Sequence, residues 1–99
     1  MYLVRDIMYC KPGKVRPMVE KFLALSKVLV AQGWGPMRVT TDVAAERYWT
    51  VVAEMEVTSM EQHAEMARKT MEMPEIQAVM KDYHDLVLEG RREVYNIEG

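Results

Sequence analysis

The stretch from Val4 to Lys14, Val-Arg-Asp-Ile-Met-Tyr-Cys-Lys-Pro-Gly-Lys, constrains the fold more than any other. Its first half alternates apolar and polar residues and is rich in branched and aromatic side chains, the pattern of a short strand. The strand must stop at Pro12, which has no N–H for a sheet ladder, and Gly13 supplies a turn. A strand that runs directly into a helix points to a mixed α and β domain.

The helix is expected from Lys14 or Val15 to about Gln32. Val15, Met18, Val19, Phe22, Leu25 and Leu29 recur at helical spacing, Pro17 is tolerated in the first turn, and Gly33 closes the helix. A second strand is expected near Met37–Thr41, with a connection over Asp42–Glu46. A third follows over Arg47–Val57, where Trp49, Val51, Ala53, Met55 and Val57 alternate with Tyr48, Thr50, Val52, Glu54 and Glu56. The first set belongs under helices; the second is half-dry or meets a partner.

Thr58-Ser59-Met60-Glu61 reads as a capping box with Thr58 at the N-cap. The helix it opens would bury Met60, Ala64, Ala67 and Met71. Pro74 interrupts that helix and starts another, with Ile76, Val79, Met80 and Tyr83 as its buried stripe. The last strand is expected at Arg91–Ile97. The order β-α-β-β-α(α)-β is that of a ferredoxin-like α+β domain, an antiparallel sheet with helices on one face. The uncovered face needs a second layer, and a second copy of the chain is the economical one.

Ninety-nine residues make one domain, 1–99. A formal net charge of −2 provides no basic field for nucleic acid. A single cysteine, Cys10, excludes an internal disulfide and a cysteine-clustered zinc site. There is neither a signal-peptide pattern nor an apolar run of about eighteen residues, so a soluble, cytoplasmic protein is expected. Ten methionines point to an adaptable core or to a pliable pocket.

Few residues carry chemistry. His63, beside the Met60/Ala64/Ala67 stripe, reads as a general base at a cleft, or as a satisfied or solvent-facing histidine. His84, between Asp82 and Asp85 with Tyr83, could move a proton or merely complement a helix C-terminus. The two histidines lack metal-ligand spacing, so no metal is expected. Arg5 and Asp6 must point to opposite sheet faces: Arg5 would anchor an anionic group of a ligand, or pair across strands with Glu54 or Glu93. Trp49 and Tyr83 could stack an aromatic ligand or simply fill the core. Glu54 and Glu56 could share acid–base work or meet basic residues, and Cys10 reads as a buried, inert thiol.

The strand ending Lys11-Pro12-Gly13-Lys14, the third strand running into Val57-Thr58-Ser59-Met60-Glu61, and the closing Gly90-Arg91-Arg92-Glu93-Val94-Tyr95 together resemble the dimeric α/β-barrel superfamily. The closing segment resembles its NIPSNAP-type branch, related to antibiotic biosynthesis monooxygenases. The resemblance implies a homodimeric α/β barrel and, in ligand-binding members, a small organic molecule held between sheet and helices. It implies activities such as cofactor-free oxidation of quinol-like aromatics, haem degradation or small isomerisations. Haem-degrading relatives carry a tryptophan and a haem-ligating histidine where this chain has Val57 and Met80, which disfavours haem and leaves no cofactor expected. The combined reading has Arg5 orienting an aromatic or quinol-like ligand, Trp49, Tyr83 and Met80 lining its cleft, and His63 or His84 moving a proton. The competing reading is a non-catalytic dimeric binding or interaction module, its cleft filled by Met8, Met55, Met60, Met71 and Met80 with both histidines outside.

Overall fold

The computed structural model describes residues 1–99. Strand β1 (Tyr2–Cys10) leads through the Lys11–Lys14 turn, with Gly13 at φ 79°, into helix α1 (Val15–Ala31). Gly33, at φ 86°, ends the helix in the left-handed conformation that glycine adopts at least cost. Strands β2 (Arg38–Thr41) and β3 (Thr50–Val57) follow, then helices α2 (Met60–Met71) and α3 (Pro74–Val79). A 3₁₀ turn (Tyr83–Leu86) enters strand β4 (Val87–Asn96). The sheet order is β2-β3-β1-β4 with all pairings antiparallel, which is the ferredoxin-like arrangement.

Alternation along the two central strands sorts the sheet into two faces. Val4 and Cys10 of β1 and Val51, Ala53, Met55 and Val57 of β3 are buried beneath Met18, Val19, Phe22 and Leu29 of α1 and Met66 of α2. Met18 has no exposed surface, so truncating it to alanine would cost about 2–5 kcal/mol. On the opposite face Ile7, Tyr9 and Val52 form a small cluster of their own. The Arg47 guanidinium lies 3.8 Å from the Tyr9 ring centroid, so basic stems cover this patch within the single chain.

Several element boundaries differ from those expected. The third strand begins at Thr50, three residues later than Arg47, because Trp49 takes a left-handed φ of 61°. The Asp42 carboxylate accepts from the Thr50 N–H at 2.8 Å, and the Thr50 hydroxyl donates to the Arg47 carbonyl at 2.8 Å. These local bonds compete with the sheet ladder and hold Arg47–Trp49 in a loop. Tyr48 is thereby 85% exposed outside the strand, while Val52, expected to meet a partner, is buried by its own chain.

The N-cap of α2 is Ser59, not Thr58: its Oγ accepts from the Gln62 N–H at 3.1 Å, and Gln62 Oε1 accepts from the Thr58 N–H at 3.0 Å. Its core face is His63, Met66 and Thr70, whereas Met60 and Met71 are exposed. Helix α3 stops at Val79 rather than running on to Tyr83. Lys21 Nζ donates to the carbonyls of Val79 and Lys81 at 3.0 and 2.8 Å, satisfying the end of α3, and Asp82 turns the chain at φ 63°. Strand β4 begins at Val87, four residues before Arg91, because backbone pairing with β1 extends to Cys10. As an edge strand it carries charges that weak alternation could not reveal. No helix is long and apolar enough to cross a membrane.

Candidate functional site

The helix-facing side of β1 contains one charged residue, Asp6, between Val4 and Met8. Register places Arg92 of β4 directly opposite it. Arg92 Nε donates to Asp6 Oδ1 at 2.7 Å and Nη2 to Oδ2 at 3.4 Å, a two-point pair. Helix α2 turns His63 toward the same region, on the buried face it shares with Met66 and Thr70. Between these groups and helices α1 and α3 lies a cleft of about 260 Å³.

Twelve of its sixteen lining residues are hydrophobic, including Met8, Met37, Met55, Met66, Met71 and Met80. The polar remainder is Asp6, His63, Thr70 and Arg92. Thr70 is committed, since its hydroxyl donates to the Met66 carbonyl at 2.9 Å. His63 is only 6% exposed. Its imidazole has no hydrogen bond within the chain, and no buried side-chain nitrogen or oxygen is orphaned, so its ring nitrogens keep some accessible surface; the residue borders both this cleft and a smaller hollow beside Trp34, Thr58 and Gln62. Burial first, and then the Arg92 charge, lowers its pKa from the ordinary 6.5, with Asp6 acting in opposition. A neutral imidazole in an apolar cleft can accept a proton or a hydrogen bond.

The structure brings some of the expected site residues together and separates others. His63, Met80 and Tyr83 line the cleft. His84 stacks at 4.0 Å on the Tyr83 ring but faces an outer depression, which shares Asp6, Met8, Tyr83 and Arg92 with the cleft. Arg5 lies on the other sheet face, bonded to Glu54 Oε2 at 3.2 Å and within 3.6 Å of Glu93 Oε1. It cannot orient a ligand in this cleft, because odd positions of β1 point away from the helices. Trp49 sits at the β2–β3 end with Val15, Thr41, Asp42 and Tyr48; its left-handed backbone takes it out of the strand alternation that would have carried it under the helices. Glu54 meets Arg5 and Arg38 of its own chain. Burial pushes the Cys10 thiol up, which keeps it protonated and unreactive.

Asp6 and Arg92 escaped the sequence reading. The signal available was that either Arg5 or Asp6 had to enter an apolar layer, and register alone decides which. No three His, Cys, Asp or Glu side chains converge in a way that could hold a metal. A larger hollow of about 680 Å³ lies at the sheet edge among Leu3, Arg38, Glu54 and Glu56; it is broad and charged, with no histidine.

The fold and cleft define a ferredoxin-like α+β domain with an apolar cavity between sheet and helices. No protein-family model and no curated protein matches the chain. Among solved structures, the fold is that of NIPSNAP proteins. An uncharacterised NIPSNAP domain protein from Burkholderia xenovorans superposes with a TM-score of 0.78 at 14% identity, over 99% of this chain and 95% of its own. A NIPSNAP family protein from Agrobacterium tumefaciens gives 0.77 at 15% identity, over 96% and 90%. A dimeric protein of unknown function and ferredoxin-like fold from Bacteroides fragilis gives 0.59 at 10% identity, over 97% and 96%.

Proposed function

We propose that this chain is a cytoplasmic, homodimeric protein of the NIPSNAP/antibiotic-biosynthesis-monooxygenase type that binds a small aromatic or quinol-like molecule between sheet and helices. The observation that carries the reading is the apolar cleft of about 260 Å³ with a buried, unbonded His63 on its wall. An apolar cavity with few convergent polar groups and a perturbed histidine is the usual form of a small-molecule site. Cofactor-free oxidation and isomerisation begin with the same step, removal of a proton from an acidic O–H or C–H. His63 is the base placed for it, and Tyr83 and Met80 shape the cavity. An isomerisation returns that proton to another atom of the same molecule; in an oxidation the quinol anion gives two electrons and its second proton to dioxygen, which with the first proton becomes hydrogen peroxide as the quinone forms.

A thermal-shift titration with methylhydroquinone tests the reading, since a ligand that binds only the folded state raises its melting temperature. A dose-dependent rise is expected for the natural chain and none for Ala67→Phe, which fills the cleft from α2. No rise in the natural chain, or the same rise in both, would remove the cleft as the binding site. The competing reading, a non-catalytic interaction module, draws its support from the six methionines on the cleft wall, but His63 lies inside that wall rather than outside it.

A further inference from the structure

Arg92 is the only lysine or arginine on the cleft wall, and its guanidinium is already engaged. Two of its five N–H groups, on Nε and Nη2, meet the two oxygens of Asp6, so one of its two bidentate edges is occupied and its charge is balanced by the carboxylate beside it. The pair carries no net charge, and His63 adds none while its imidazole is neutral. The pair also stands where the cleft opens to the outer depression beside Tyr83 and His84. An anion entering past it would meet the Asp6 carboxylate and a guanidinium whose charge that carboxylate already balances, and would lose its hydration among methionines, which is costly. A neutral hydroxyl meets the opposite situation, with acceptors waiting at His63 and on the outer lone pairs of Asp6. As for size, an engineered apolar cavity of about 150 Å³ takes benzene. A cleft of about 260 Å³ therefore has room for a ring with a short side chain.

We infer that the Asp6–Arg92 pair is a charge filter, and that the cleft takes a neutral, hydroxyl-bearing apolar molecule, a phenol or a stable enol, while excluding carboxylates and phosphates of the same shape. The inference rests on the reading of the cleft as a ligand site and goes further by assigning its specificity to Asp6. Removing the negative charge while keeping the shape should free the Arg92 fork and admit anions. Removing the positive charge should not.

The experiment uses calorimetric titration of the full chain with para-propylphenol, para-propylbenzoate and propylbenzene at about pH 7.5, where the phenol is neutral and the benzoate ionised. The natural chain is expected to prefer the phenol over the benzoate by about tenfold or more in Kd, a readily resolved difference. Asp6→Asn should erase or reverse that preference by tightening the benzoate, and Arg92→Gln should leave benzoate excluded. Comparable phenol and benzoate affinities in the natural chain, or an unchanged ratio in Asp6→Asn, would overturn the filter. Propylbenzene separates the two levels of the argument. If it binds and the phenol has no advantage over the benzoate, the filter falls and the cavity stands. If none of the three binds, the ligand site falls and the filter with it.

Discussion

A histidine buried among methionines destabilises its fold when it is protonated, and His63 occupies such a position. Its folded pKa lies below the ordinary 6.5, through burial first and Arg92 second. Just below pH 6.5 the unfolded chain therefore binds a proton that the folded chain resists. The slope of unfolding free energy with pH follows the protons bound in the unfolded state minus those bound in the folded state. That difference is positive here, so stability rises with pH in this window. The stability is fully present above 6.5 and is lost as pH falls toward the folded value. Urea midpoints between about pH 7.5 and 5.5 should decline for the natural chain and stay flatter for His63→Gln. Equal slopes would remove His63 as their source. None of this was legible from spacing alone. The stripe of Met60, Ala64, Ala67 and Met71 is the more apolar one, yet the helix buries His63, Met66 and Thr70, with Ala67 and Met71 at the cleft wall. Arg5 and Asp6 pose the same difficulty. Alternation says that they part, but a single-residue change of register would exchange their environments.

At the scale of elements, long periodic segments announced themselves and boundaries set by side-chain bonds did not. Helix α1 ends within a residue of expectation because Gly33 is required at its positive φ. The loop before Thr50 depends on the Asp42 carboxylate capturing a backbone N–H eight residues away, which no local pattern encodes. The cap of α2 can be tested directly. Ser59→Ala should cost about 1 kcal/mol by chemical denaturation, the usual loss for an N-cap. Thr58→Ala, at an exposed position, should stay within about 0.5 kcal/mol, and the reverse order would restore Thr58 as the cap. The end of α3 depends on a partner distant in sequence, Lys21, whose ammonium satisfies two carbonyls there. Lys21→Met should lower global stability by about 1 kcal/mol. It should also speed amide hydrogen exchange at Met80 and Tyr83, whose N–H groups bond back to Ile76 and Met80. Unchanged exchange there would mean that α3 is held by its Ile76 packing alone. Because α3 and the turn after it bring Ile76, Met80 and Tyr83 to the cleft wall, the same variant would loosen the cavity.

For the whole molecule, the face of the sheet away from the helices is the one that no helix covers. The sequence suggested a half-dry face, with Tyr48, Val52, Glu54 and Glu56 on it, that a second copy would cover. The structure instead buries Ile7, Tyr9 and Val52 internally and surrounds them with ion pairs: Arg5 with Glu54 and Glu93, Arg38 with Glu54, and Arg91 with Glu93. Three arginines interleaved with the carboxylates of Glu54, Glu56 and Glu93 are self-complementary, since a two-fold rotation can lay positive positions of one copy over negative positions of another. A homodimer built through this face would thus be polar and wet rather than core-like, and its stability would depend on ionic strength. Light scattering on the eluted protein should give twice the chain mass of 11.5 kDa at low salt, with dissociation growing toward about 1 M salt. Leu3→Glu provides the second arm. Leu3 lies on this face of the central strand β1, paired with Glu56 on one side and Tyr95 on the other, and it belongs to none of the buried clusters. A carboxylate there sets like charge against Glu56 and should yield a folded monomer with an intact cleft. A monomer mass for the natural chain at every salt concentration would leave the open face without a second copy, and a salt-insensitive dimer would place the interface elsewhere on the molecule.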